Sequence, residues 1–198
     1  MLKKIVFAMV FGVSVLVHAG VKPYLSINGG LGILTDTGFN VSGISGDVEF
    51  DPGYVISGTV GLTFDSISLR TELELSILKN DVDKVVFHGY GSVDGDGADQ
   101  KTSTLMWNVL YDFKTESAFT PYILCGIGGA DVDEDDVDTL FAFQIGAGVG
   151  YAITDHFILD LKYKFLKTDD FDFQDGSDKV NVDGYEYHQI QVGLRYQW

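Results

Sequence analysis

Ile67-Ser68-Leu69-Arg70-Thr71-Glu72-Leu73-Glu74-Leu75-Ser76-Ile77 is the stretch that decides the fold. Ile67, Leu69, Leu73, Leu75 and Ile77 share one side of an extended chain with Thr71, while Ser68, Arg70, Glu72, Glu74 and Ser76 share the other. A period of two sustained over this length is the signature of a β-strand with two chemically distinct faces. Which face meets water then decides the protein class.

The same alternation recurs in seven more segments, each close to the roughly 9–11 residues that a tilted strand needs to cross hydrocarbon. They cover about 24–34, 54–64, 102–113, 121–130, 140–153, 156–165 and 185–198. In 24–34 the apolar side is Leu25, Ile27, Leu31 and Ile33; in 54–64 it is Tyr54, Ile56, Val60, Leu62 and Phe64. Leu105, Trp107, Val109, Tyr111 and Phe113 line up in the next, and 121–130 is glycine-rich with no clear facing. Phe141 to Ile153 and Phe157 to Phe165 alternate against Gln144 and glycines, and against Asp160, Lys162 and Lys164. In the last segment Ile190, Val192, Leu194, Tyr196 and Trp198 alternate with Gln189, Gln191, Gly193 and Arg195.

In a soluble barrel such as a lipocalin the apolar side would be the core and the charged side would be wet. Here the apolar side carries aromatics toward its ends, at Tyr54, Phe64, Trp107, Tyr111, Phe113, Tyr151, Tyr196 and Trp198, which suits girdles at two membrane interfaces. The opposite side is rich in Gly, Ser, Asn and Gln, which suits a cramped interior. The reading is therefore an all-β, eight-stranded antiparallel transmembrane β-barrel in the bacterial outer membrane, with an even strand number as such barrels have.

Connection lengths alternate as well. Asp65-Ser66, 114–120 and Thr154-Asp155 are short, whereas 35–53, 79–101, 131–138 and 167–184 are mostly long. Short periplasmic turns and longer extracellular loops are what such barrels show. The four long stretches hold 21 Asp and Glu against five Lys, a balance equal to the −16 of the whole 198-residue chain, so the acidity belongs to the loops. That charge excludes nucleic acid as a partner, because a phosphate backbone calls for a basic face.

Ahead of the strands, Met1-Leu2-Lys3-Lys4 leads into an apolar run from Ile5 to Val17 and then His18-Ala19-Gly20. A basic start, a greasy middle too short to span a bilayer and a small-residue site predict an export signal over 1–19, leaving 20–198 as the barrel domain. Cys125 is the single cysteine, so no disulfide within the chain and no Cys-based metal site can form.

From Asn108 onward, Asn108-Val109-Leu110-Tyr111-Asp112-Phe113, Pro121-Tyr122, Gly126-Ile127-Gly128, Phe143-Gln144-Ile145-Gly146-Ala147-Gly148 and Leu159-Asp160-Leu161-Lys162-Tyr163 resemble the outer-membrane β-barrel family that includes the opacity porins and related small porin-family surface proteins. The alternating Ile190, Val192, Leu194, Tyr196 and terminal Trp198 resemble the C-terminal signal read by the barrel-assembly machinery. The resemblance implies surface exposure and variable loops, with outer-membrane lipids and lipopolysaccharide as neighbours and host or environmental surfaces as ligands. It implies no single activity, and Leu124-Cys125 departs from the small residues expected there.

Eight strands leave an interior about filled by side chains. The charges predicted to face inward are Arg70, Lys162, Lys164 and Arg195 against Glu72, Glu74 and Asp160, nearly balanced, which predicts a lumen plugged by its own ion pairs. The alternative is a small diffusion channel lined by the same residues. Two acidic clusters, 94–99 and 131–136, tempt a calcium reading, but the first lacks the spacing and closing Glu of an EF-hand loop. His88, His156 and His188 stand in no nucleophile motif, so no catalytic residue, cofactor or metal ligand is assigned.

Overall fold

The computed structural model describes residues 21–41, 44–88, 91–95, 99–132, 139–175 and 178–198. The predicted export signal and the centres of both acidic clusters lie outside the described residues. Thirteen strands are present among those described: β1 (Val21–Leu34), β2 (Thr37–Val41), β3 (Ile44–Phe50), β4 (Gly53–Phe64), β5 (Leu69–Phe87), β6 (Gly91–Asp94), β7 (Asp99–Asp112), β8 (Phe119–Val132), β9 (Leu140–Ala152), β10 (Phe157–Thr168), β11 (Phe171–Asp175), β12 (Asp178–Val182) and β13 (Glu186–Gln197).

Eight of them, β1, β4, β5, β7, β8, β9, β10 and β13, pair antiparallel in a ring that β1 and β13 close, from Tyr24↔Gln197 to Leu34↔Tyr187. Following partners from Leu31 one way leads through Tyr54 and Lys79 to Lys101. The other way, through Ile190, Tyr163, Ala147 and Ile123, arrives at Tyr111 on the same strand, ten residues away. That stagger is what tilts the strands and closes the barrel.

The ring is inverted relative to a soluble core. Ile27, Ile145 and Trp107 are 66%, 54% and 54% exposed on its outer wall, while Glu74, Lys164 and Gln191 inside are 1%, 1% and 0% exposed. Segment 121–130, ambiguous in sequence, resolves with Ile123, Cys125 and Ile127 outward and Tyr122 and Leu124 inward. Such a wall is stable only where hydrocarbon, not water, surrounds it, because closure has already satisfied every ladder hydrogen bond.

At one end lie the short turns and both ends of the described chain. The β4–β5 connection is longer than Asp65-Ser66: it runs through Ser68, which takes φ 57°, so Ile67 and Ser68 belong to the turn and the strand starts at Leu69. The left-handed residue reverses the chain where the predicted alternation would have carried it straight on. The β9–β10 turn is closed by Thr154, whose hydroxyl oxygen accepts from the backbone N–H of His156 and Phe157 at 3.2 and 3.0 Å.

The other end corrects the reading of the long stretches as loops. β2, β3 and β12 join the outer half of β5 in a second sheet ordered β11-β12-β2-β3-β5, with β6 on the far side of β5. β5 is long enough, at 19 residues, to belong to both sheets: it pairs with β4 and β7 below Asp81 and with β3 and β6 above it. Polar, turn-rich sequences concealed these short strands, since their pairing comes from the template that β5 offers and not from their own periodicity.

Candidate functional site

Inside the barrel the side chains form three layers. Nearest the turn end, Arg70 meets Asp112, with Nε 3.0 Å from Oδ1 and Nη2 2.8 Å from Oδ1, and Arg195 donates from Nε to Asp160 Oδ2 at 3.0 Å. Tyr24 and Tyr122 fill the space between these pairs: the Arg70 guanidinium carbon lies 4.6 Å from the Tyr122 ring centre and that of Arg195 lies 5.6 Å from the Tyr24 ring centre. Stacked arginines of this kind gain from the ring faces as well as from the carboxylates. The rings are seated on glycines, since a Cβ on Gly61 would stand 2.3 Å from Tyr24 Cζ and one on Gly148 2.5 Å from Tyr122 Cζ.

The middle layer is built on two carboxylates of β5. Glu72 accepts from the Tyr24 hydroxyl at 2.5 Å and from Asn108 Nδ2 at 3.1 Å. Glu74 accepts from Lys164 Nζ, from Ser76 Oγ at 3.3 Å and from Gln144 Nε2 at 3.4 Å, and Lys162 Nζ stands 3.6 Å from its other oxygen. Asn28, Ser57, Gln191 and Gln189 continue the network, donor to acceptor, across β1, β4 and β13.

Toward the far end the lumen turns apolar. Leu34, Val55, Leu78, Met106, Leu166, Tyr185 and Tyr187, with Ala130, Val132 and Ala142, form a buried cluster. Thr102 and Tyr187 share a hydroxyl–hydroxyl hydrogen bond of 2.7 Å within it. Leu78 lies four residues beyond Glu74 on β5 and Leu166 two beyond Lys164 on β10, so this lid roofs the charged layer. At the turn end a cavity of about 450 Å³, lined by Asp65, Asp112, Lys114, Asp155 and Arg195, reaches up to the arginine layer.

All seven charges assigned to the interior from sequence are found there, at 7% exposure or less. Asp112 joins them as the eighth, matching four cations with four carboxylates. Asn108 and Gln144, which parity places on the polar side of their strands, are buried inside at 0% and 1% exposure; Tyr24, Tyr122 and the lid carry no assignment from sequence, although parity with Ser26 and Glu74 points Tyr24 and Leu78 inward.

Of the aromatics, Phe64, Tyr111, Phe113 and Tyr151 ring the turn end with Phe119, Phe157, Tyr196 and Trp198; Phe119 meets Tyr151 at 4.9 Å and Tyr196 meets Trp198 at 4.9 Å between ring centres. Tyr54 stands at the opposite rim, as do Phe143 and Phe165 across the barrel on β9 and β10, whose ring centres are 6.4 Å apart. Trp107 belongs to neither rim. It pairs with Leu73 and Ile127 at mid-wall, and its indole N–H donates to Thr71 Oγ1 at 2.8 Å, which removes the need for interfacial water that places tryptophans at a rim. Ile190, Val192 and Leu194 face outward along β13, beside β1.

In the second sheet the charges pair at the surface: His88 Nε2 with Asp47 Oδ2 at 2.7 Å and Lys84 Nζ with Glu49 Oε2 at 2.8 Å. The hydrogen bond from Lys84 to Glu49, and the attraction between them, raise the lysine above its ordinary pKa. Phe39 and Phe87 meet edge to face at 5.6 Å and anchor β2 against the end of β5. Among the described residues no group of three or more His, Cys, Asp or Glu is placed to hold a metal ion.

Residues 5–197 match the family model described as outer membrane protein beta-barrel domain. The outer membrane protein PagN of Salmonella typhimurium is 38% identical over 81 residues, which cover 33% of this chain and 34% of PagN. An uncharacterized protein of Brucella abortus is 27% identical over 189 residues, covering 70% of this chain and 66% of that one. The chain thus spans about a third and just under two thirds of these relatives. Among solved structures, Neisserial surface protein A superposes with a TM-score of 0.57 at 20% identity, over 91% of this chain and 98% of its own. The outer membrane protease OmpT of Escherichia coli shares the fold with a TM-score of 0.52 at 10% identity, over 94% of this chain and all of its own.

Proposed function

Because the chain belongs to the outer membrane protein β-barrel family, we propose that it is a surface-interaction protein that works through its extracellular sheet, while its lumen stays closed. The observation that carries this reading is the filled interior: four cations stand against four carboxylates beneath a buried, largely apolar lid. A hydrophobic layer excludes hydrated ions, and matched pairs in a narrow lumen hold each other in place. The working surface is then the sheet of β2, β3, β6, β11, β12 and the outer half of β5, which carries three of the four acidic stretches and suits an adhesin-like contact with a host or environmental surface.

Neither OmpT's proteolysis nor any other catalytic step is carried over, since the likeness to that protein is one of fold. Lipopolysaccharide and outer-membrane lipids surround the wall in this reading. Ile190, Val192, Leu194, Tyr196 and Trp198 serve as the signal to the barrel-assembly machinery, and the two aromatic rims fix the barrel's depth. One observation favours the alternative of a small diffusion channel: the periplasmic cavity already opens the turn end of the lumen to water as far as Arg195.

The test is attachment. Cells displaying the chain are compared with cells displaying a version in which the β2–β3 and β11–β12 hairpins are replaced by short turns. Loss of attachment with the barrel still folded supports the reading, and unchanged attachment refutes it.

A further inference from the structure

The outer wall carries one unusual juxtaposition at the extracellular rim. Lys79 and Lys101 are direct register partners on β5 and β7, and Tyr54 on β4 continues the row. Like charges set directly opposite across a ladder oppose pairing, yet here the ladder runs on past them. All three side chains follow the outward parity of Ile77 and Leu105, which are 43% and 47% exposed on the lipid-facing wall, and they stand just beyond it.

The next row outward holds Asp81 opposite Asp99, again like against like. One diagonal is satisfied, Lys79 Nζ to Asp99 Oδ2 at 3.0 Å, and Lys101 and Asp81 have no ion pair among the described residues. Lys167, the other outward lysine near this rim, differs: Glu186 matches it at 2.6 Å. The strongly acidic extracellular face therefore has, at one point of its rim, a paired cationic step turned toward the membrane surface and a paired anionic step above it.

We propose that Lys79 and Lys101, flanked by the Tyr54 hydroxyl, bind the phosphate of an outer-leaflet lipid, the phosphorylated headgroup of lipid A. The rim is the depth at which headgroup phosphates stand, and two ammonium groups a ladder spacing apart straddle one phosphate. Asp81 and Asp99 repel the anion from above and hold it at the level of the lysines. The Lys79–Asp99 contact is exposed on both sides, so exchanging part of it for a phosphate costs little.

The experiment is native mass spectrometry of the refolded chain released from bilayers containing lipid A or its dephosphorylated form. Retention of lipid A should fall about fivefold for each lysine lost in Lys101→Gln and in the Lys79→Gln/Lys101→Gln double variant. The control Lys84→Gln, higher on the extracellular sheet, should retain lipid A like the parent. Millimolar inorganic phosphate should not displace the lipid. Equal retention by the variants, equal retention of dephosphorylated lipid, or displacement by inorganic phosphate alone would each overturn the assignment. Should the double variant not fold, as read by its gel mobility before and after boiling, Lys101→Gln alone decides.

Discussion

Glu74→Ala is the most informative single change in the barrel. The side chain is 1% exposed and, among the described residues, is the only carboxylate in an ion pair with two lysines that are themselves 1% and 7% exposed. Its removal leaves Lys162 and Lys164 buried with the nearest remaining carboxylate, Glu72, already taken by Tyr24 and Asn108. Breaking a buried pair from one side costs about 3–5 kcal/mol, and two stranded ammonium groups put this site at the upper end. The companion variant Glu74→Leu/Lys162→Met/Lys164→Met removes both signs at similar volume and is expected within about 1 kcal/mol of the parent, or above it. Urea unfolding of the refolded barrel in lipid vesicles, followed by tryptophan fluorescence and by gel mobility, measures both. If Glu74→Ala loses less than about 1 kcal/mol, the inward ion-pair reasoning fails, because no surface carboxylate change is expected to exceed that amount.

Gly148→Val is expected to destabilise by about 1–3 kcal/mol through collision with the Tyr122 ring, and Gly148→Val/Tyr122→Leu to recover part of that loss in the same assay. Cys125, outward between Val109 and Ile145, should resist a charged thiol reagent in vesicles and react with a lipid-soluble one; rapid labelling by the charged reagent would put that face of β8 in water. Export should leave a mature chain beginning at Gly20, which intact-mass measurement of the outer-membrane form checks.

Alternation made the barrel legible, because a strand with hydrocarbon on one side and a packed lumen on the other must write both environments into its parity. β5 shows this best, since Arg70, Glu72, Glu74 and Ser76 could be placed from their spacing alone. The tyrosines of the lumen were harder: Tyr24 and Tyr122 are amphipathic, and their inward position depends on Gly61 and Gly148, which leave room from neighbouring strands distant in sequence. The lid escaped for a related reason. Leu78 and Leu166 break the polar-inside pattern only toward the outer end of the barrel, where a change of facing and a change of environment look alike in sequence, and Met106 is a lone apolar residue in mid-strand opposite Glu74. The extracellular sheet left almost no trace, as β2, β3 and β12 are held by β5 and by one another, not by an apolar stripe of their own.

Planar-bilayer conductance of the refolded, heat-modifiable barrel tests the closed-lumen account most directly. The structure predicts a silent membrane for the parent, and discrete conductance once the lid is thinned in Leu78→Ala/Met106→Ala. Reproducible channels from the parent, altered by Glu74→Gln, would contradict the account and make the lumen the working part.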